Sequence, residues 1–331
     1  MPEPLIECVP NFSEGRDAVV VESIVAAMAV DGVSLLDYSR DTDHNRSVVT
    51  IVGPPAAVVE SAVRGAGRAA ELIDLTAQRG VHPRIGAADV IPFVPVRDIS
   101  LEQCVMLARQ AGEQIWARFG VPVYFYEAAA ARPDRALLEE VRRGQFEGLR
   151  EAVRRETARR PDVGGPDLHP TAGASAVGAR RFLIAWNLYL DTGDVATARS
   201  IAREIRASGG GLTGVKAMGV LAHGEAQIAM NITDFRQTPL SQVYAAIEEK
   251  AARLGAKVAR GELIGLIPEE AAERESDWLR HFHEFDPEEK ILERKLRRPL
   301  EWPGASVSSS VSPAALSTAL FATRGEDSRL K

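Results

Sequence analysis

His82 stands in Gly80-Val81-His82-Pro83-Arg84-Ile85-Gly86, and an imidazole carried on such a loop can both accept and return a proton near neutral pH. The proline after it biases His82 away from helix toward extended backbone, while Gly80 and Gly86 bracket a short loop ahead of the apolar run Val90 to Val96. The side chain is therefore presented from a loop and not packed on a helix face. The other five histidines, at 44, 169, 223, 281 and 283, form no carboxylate or cysteine cluster beyond His281-Phe282-His283, so no metal is expected. His281 and His283 read as solvent-facing, and His223 before Gly224 reads as a hairpin-turn residue.

A second stretch, Val9-Pro10-Asn11-Phe12-Ser13-Glu14-Gly15-Arg16-Asp17, breaks from an apolar run into a polar turn before a helix, a junction where backbone N–H groups can face a ligand. A third, Gly164-Gly165-Pro166-Asp167-Leu168-His169-Pro170-Thr171-Ala172-Gly173-Ala174, is turn-rich and is expected both to join two domains and to contact a ligand. Ser208 to Gly214 is glycine-rich but lacks a P-loop's Gly-Lys-Ser/Thr ending and follows a helix, so it reads as a connection. Val63 to Ala70 holds a fragment of a dinucleotide fingerprint inside a helical pattern and is discounted.

The elements that must position these residues follow from periodicity. Leu5 to Val9 predicts a strand, Asp17 to Val30 a helix, Val33 to Asp37 and Val48 to Val52 two strands, Pro54-Pro55 to about Leu72 a helix, and Val90 to Val96 a strand. The order β-α-β-β-α-β returns with strand Phe182 to Leu188, helix Asp194 to Ala207, strands Val215 to Leu221 and Gln227 to Ile232, helix Pro239 to Leu254 and strand Val258 to Ile267. The expected fold class is α+β: two ferredoxin-like halves from a structural duplication, packed together with a ligand groove between them. Between the halves, Ser100 to Phe119 predicts a helix with a Ser100/Gln103 capping box, and Val121 to Tyr126 a strand extending the first sheet. Residues 131 to 161, dense in Arg and Glu, predict exposed helix. The expected domains are 1–178 and 179–298, followed by a disordered tail, 299–331, rich in Ser, Ala and Pro.

Composition narrows the class. A chain of 331 residues, 45% hydrophobic and 26% charged, can bury two cores. The net charge of −6 and only 6% aromatic residues argue against a nucleic-acid binder, and an anionic substrate would need a local cationic pocket. Two cysteines, Cys8 and Cys104, fit buried thiols in a reducing compartment, and with no leader or spanning run the expectation is a soluble cytoplasmic protein without membrane contact.

The first stretch and the His82 stretch, continued as Ala87-Ala88-Asp89-Val90-Ile91-Pro92-Phe93-Val94-Pro95-Val96, resemble the formiminotransferases. The likeness runs on through Asp43-His44-Asn45-Arg46-Ser47 and Gly173 to Asn187, thins out over Phe285-Asp286-Pro287, and covers roughly residues 4 to 296, with no room for a fused deaminase domain. It implies transfer of a formimino group from N-formimino-L-glutamate to N5 of tetrahydrofolate, the co-substrate, in histidine degradation by a homodimeric enzyme, with His82 as acid/base. Two alternatives stand beside it: a folate-dependent enzyme with another donor, such as formylated folate or formimino-glycine, and a non-catalytic folate-binding protein.

Given that reaction, Arg84 is a candidate contact for an anion, and a structural salt bridge is its other reading. One carboxylate of the Asp37 to Arg46 loop is expected to orient His82 or face the cationic formimino group. The family carries an acid two positions after the equivalent of Asp37, where this chain has Ser39, so Asp37, Asp41 and neither all remain open. Both substrates are anionic, which makes Arg46, Arg84, Arg180 and Arg181 candidates because each lies in or beside a motif. Asn11, Gly164, Gly165, Pro166, His169, Thr171, Gly173 and Ala174 complete the expected substrate contacts.

Overall fold

The computed structural model describes residues 3–274 and 285–304. Its first unit runs β1 (Leu5–Cys8), β2 (Asn11–Phe12), α1 (Ala18–Ala27), β3 (Ser34–Asp41), β4 (Arg46–Gly53), α2 (Pro55–Leu72) and β5 (Ala88–Arg97). The expected order is present, with β3 starting one residue later than the periodicity placed it and running on to Asp41. β1 pairs antiparallel with both β4 and β5, and β4 with β3, giving the spatial order β5-β1-β4-β3, while the short β2 continues between β4 and β5.

Next come α3 (Leu101–Phe119), β6 (Val123–Glu127), α4 (Leu138–Val141), α5 (Gln145–Arg155) and β7 (Ser175–Ala179). The Ser100/Gln103 capping box forms, and β6 does extend the first sheet. It does so through β7, which lies parallel between β5 and β6 and completes a seven-stranded sheet. β7 is not signalled by its residues, because Ser-Ala-Val-Gly-Ala has little of the branched bulk that marks strands. Small residues are what the place admits: a side chain at Gly178 would run into the ring of Tyr126.

The second unit comprises β8 (Ile184–Leu190), α6 (Val195–Ile205), β9 (Val215–Ala222), β10 (Glu225–Ile232), α7 (Leu240–Arg253) and β11 (Val258–Ile264). Its four strands lie in the order β11-β8-β10-β9, all neighbours antiparallel. Short helices α8 (Glu269–Arg274), α9 (Pro287–Lys290) and α10 (Leu292–Lys295) follow. The molecule is thus mixed α+β with two sheets.

Two cores form on the helix sides of the sheets. Ile6, Cys8, Val49, Ile51 and Phe93 pack against α1, α2 and α3, and Trp186, Leu188, Ile228 and Met230 pack against α6 and α7. The glycines that resembled a dinucleotide fingerprint serve this packing: Gly65 lets Met28 approach and Gly67 lets Phe119 approach. A third, smaller cluster, Leu36, Val52, Leu266 and Leu292, joins the opposite face of the first sheet to the segments after β11.

Two expectations need correction. Residues 131–161 are not simply an exposed helical stretch: Val141, Phe146, Leu149 and Val153 are buried, as is Arg135, which pairs with Asp162. Charges on the outer face of α5 hid an amphipathic pattern beneath them. The expected tail is also docked over its first residues, since Leu300 N–H donates to Leu35 O at 2.7 Å and Trp302 packs on the first core. Beyond 304 that tail lies outside the described residues, as do His281 and His283. Both cysteines are buried and free, and no helix among the described residues is long and apolar enough to cross a membrane.

Candidate active site

Three loops converge on His82. The turn after β2, the β3–β4 connection and the segment 78–87 are tied together by side chains of their own. Gln78 bridges Glu14 and Asn45, and Asn45 also accepts from Gly15 N–H at 3.0 Å and donates to Arg79 O at 3.1 Å. Ser13 donates through Oγ to Gly86 O at 2.7 Å and through its backbone N–H to Ala87 O at 2.9 Å. Asn45 sits in left-handed backbone (φ 48°), which asparagine tolerates. Backbones meet closely enough that a side chain at Gly15 would collide with Asp41 O, and one at Gly80 with His44 O.

The expectation for the first motif needs revision here. The N–H groups leading into α1 do not face a ligand: Glu14 accepts from Arg16 and Asp17, and the Asp17 carboxylate accepts from Val19 and Val20. The helix start is capped from within.

His82 itself is half-buried, with Nδ1 2.8 Å from Pro83 O. A carbonyl can only accept, so Nδ1 carries the proton and Nε2 keeps its lone pair. Burial, then the charges of Arg46 and Arg142, hold the imidazole well below the usual histidine range, and His44, with ring centroids 6.1 Å away, adds to this. Among the described residues no carboxylate bonds His82, so its tautomer is fixed by the backbone.

Behind it lies Asp89, fully buried. Its Oδ1 accepts from Ile85 N–H at 2.8 Å, and its Oδ2 is shared by Arg46 at 2.8 Å and by Arg142. Burial alone would raise this carboxyl, but Arg142 and Arg46 hold it below the usual range. Burial pulls Arg46 down to about 10, and its Nε donates to Asn11 Oδ1 at 3.0 Å. Neither Asp89 nor Arg142 was singled out from the sequence. A lone acid in the apolar run Ala87 to Val94 was the available signal for Asp89; Arg142 was hidden in a charge-dense stretch.

The remaining predicted residues divide. Arg84 forms the salt bridge that was its alternative reading: it reaches Glu147 at 2.9 Å and donates to Gln78 O and Leu75 O. Asp37 is not brought to His82. Burial raises its carboxyl, Lys290 and Lys295 are the charges that lower it, and its Oδ2 has no hydrogen-bond partner among the described residues. Asp41 instead shapes the loop, accepting from His44 N–H at 2.7 Å and pairing with His223 at 2.9 Å.

The Gly164 to Ala174 loop splits. His169, Thr171, Gly173 and Ala174 are stitched to the His82 segment through Leu75 N to Thr171 O, Ala174 N to Ile85 O and the Gly86–Gly173 bridge. Gly164 lies against the Trp116 ring and Gly165 against Pro161, with Pro166 exposed. Arg180 acts on Glu7, a carboxyl that burial pushes up to about 7, and Arg181 is exposed.

The second unit reaches the same place. His44 Nε2 lies 3.1 Å from Gln227 Oε1 on β10, and the β9–β10 turn contributes His223, whose N–H donates to Asp43 at 2.6 Å. Lys216 on β9 pairs with Glu127 and Glu139 at 3.2 Å each.

Residues 5–180 match the formiminotransferase domain, N-terminal subdomain, and residues 185–280 match the formiminotransferase domain. The chain belongs to the formiminotransferase family. It is 43% identical over 295 residues to the glutamate formimidoyltransferase of Streptococcus pyogenes serotype M1, a match covering 88% of this chain and 98% of that one. The glutamate formimidoyltransferase of Thermoplasma acidophilum is 46% identical over 299 residues, covering 89% and 98%. The formimidoyltransferase-cyclodeaminase of Gallus gallus is 42% identical over 277 residues, which span 81% of this chain and 51% of that protein. In this formiminotransferase the neutral imidazole, the paired guanidiniums and the stitched loops can together bind an anion and move a proton beside it.

Proposed function

We propose that the protein is a glutamate formimidoyltransferase, carrying the formimino group of N-formimino-L-glutamate to N5 of tetrahydrofolate in the histidine-to-glutamate route. The observation that carries this is identity of 43% and 46% with enzymes of that name along 98% of their length. The protonated formimino carbon is already electrophilic, so the chemistry reduces to orientation and proton transfer. N5 attacks and a C–N bond forms; His82 takes the N5 proton on Nε2. The same proton then goes to the glutamate nitrogen as its C–N bond breaks, leaving 5-formimino-tetrahydrofolate and glutamate.

What supports His82 in this role is its Nδ1 contact with Pro83 O and its depressed proton affinity, which together favour a free Nε2 lone pair at neutral pH. We assign Arg46 with Asn11 to substrate anions, and Arg180 with the His169 to Ala174 part of the loop to the folate side. Arg84 positions the 75–84 segment through Glu147. The two sheets share one strand order, β5-β1-β4-β3 and β11-β8-β10-β9, which favours a duplicated ferredoxin-like unit with the substrate groove between the facing sheets. The active unit in this reading is a cytoplasmic homodimer, to be measured by sedimentation.

The test is incubation with tetrahydrofolate and N-formimino-L-glutamate, in parallel with formimino-glycine and 10-formyl-tetrahydrofolate, following products by mass spectrometry. Formation of 5-formimino-tetrahydrofolate and glutamate at a kcat/KM well above that for the other donors is expected. Turnover of another donor alone would overturn the assignment.

A further inference from the structure

Arg142 follows α4, in a stretch where charge alone pointed to solvent, yet its guanidinium turns inward to Asp89. Arg46 meets the same Oδ2 oxygen from β4 at 2.8 Å, and the other oxygen of Asp89 is taken by Ile85 N–H at 2.8 Å. Two guanidiniums therefore share one carboxylate, and one positive charge is left over. Arg142 is nearly buried, with 12% of its side chain exposed, and its Nε has no hydrogen-bond partner among the described residues. Both guanidiniums are close enough to His82 to be the two largest charges acting on it. A pair of guanidiniums carrying one uncompensated positive charge beside an imidazole is arranged for a carboxylate.

Two substrates of the proposed reaction carry carboxylates, and their chemistry separates them. In N-formimino-L-glutamate the α-carboxylate is attached to the carbon that bears the departing nitrogen, so a histidine that protonates this nitrogen has that carboxylate beside it. The carboxylates of tetrahydrofolate lie beyond the aminobenzoyl group, far from N5. We propose that Arg142 is a substrate-binding residue that receives the α-carboxylate of the formimino-amino-acid donor, with Arg46 alongside and Asp89 holding the two guanidiniums in place. The proposal rests on the formimidoyltransferase reading. It also assigns specificity: donors without an α-carboxylate are discriminated against at this point.

The experiment compares wild type, Arg142→Gln and Arg142→Lys with two donors, N-formimino-L-glutamate and N-formimino-4-aminobutanoate, which keeps the reacting nitrogen and the distal carboxylate but lacks the α-carboxylate. Wild type should favour the glutamate donor in kcat/KM by on the order of 10- to 100-fold, the range of a charge-assisted hydrogen bond. Arg142→Gln should reduce that preference to within a few-fold, Arg142→Lys should retain part of it, and KM for tetrahydrofolate should not change. Equal losses on both donors, with the preference intact, would mean that Arg142 only supports Asp89 and would overturn the proposal. So would a raised tetrahydrofolate KM with donor preference unchanged. Wild-type inactivity toward both donors would overturn the formimidoyltransferase reading itself, and the proposal with it.

Discussion

His82 is held neutral by its surroundings, and the direction of that effect sets a measurable pH dependence. Burial, Arg46 and Arg142 all lower its proton affinity, so the unprotonated base persists below the ordinary histidine value of about 6.5. The acid limb of kcat/KM should accordingly fall below that value. Asp89→Asn removes the negative charge between the two guanidiniums while keeping an oxygen for Ile85 N–H, so the limb should move lower still; a limb moving upward, or staying fixed, would contradict the electrostatic account. The same depression means that the folded state gains stability from a neutral His82 above about 6.5 and loses it as pH falls toward the folded value. At this scale the sequence showed the imidazole because flanking glycine and proline fix its backbone locally, and Arg46 because it lies in the Asp43 to Ser47 motif. Asp89 and Arg142 escaped it because their meeting joins residues 53 apart, which no local pattern encodes.

The elements around the site depend on backbones approaching without side chains between them. A side chain at Gly15 would meet Asp41 O and the backbone N and O of Arg46, so Gly15→Ala must push the β2 turn from the β3–β4 loop. The expected cost is about 1–3 kcal/mol of stability, as for other overpacked sites, with a loss of kcat larger than the change in KM. Chemical denaturation and steady-state kinetics on the variant measure both, and wild-type values in each would contradict the stitching described here. Most strands and helices were legible from apolar periodicity. β7 was not, since its Ala and Gly residues fit a crowded strand between β5 and β6 by being small, and Phe146 and Leu149 were masked by the arginines and glutamates around them.

At the scale of the molecule, the first sheet is joined to the segments after β11 by an apolar seam and to the second unit by polar contacts. Leu36, Val52, Leu266 and Leu292 form the seam, while His44–Gln227 and Asp41–His223 join the β3–β4 loop beside His82 to the second unit, and Lys216 reaches Glu127 and Glu139. Leu36→Ala should therefore cost about 2–5 kcal/mol and weaken the joint without emptying either helix-side core. A drop in Tm without loss of α-helical circular dichroism is the expected signature; an unchanged Tm would remove the seam's role. The repeated β-α-β-β-α-β order of elements could be read from the sequence, whereas the contacts that form the seam could not, because its partners come from opposite ends of the chain. The most direct test of the central claim, formimino transfer through His82, compares single turnovers of wild type and His82→Ala, with tetrahydrofolate affinity measured on the same samples. The account predicts 5-formimino-tetrahydrofolate from wild type and a rate lower by on the order of 10²–10⁴-fold in the variant, at unchanged folate affinity; a variant that turns over at the wild-type rate would contradict it.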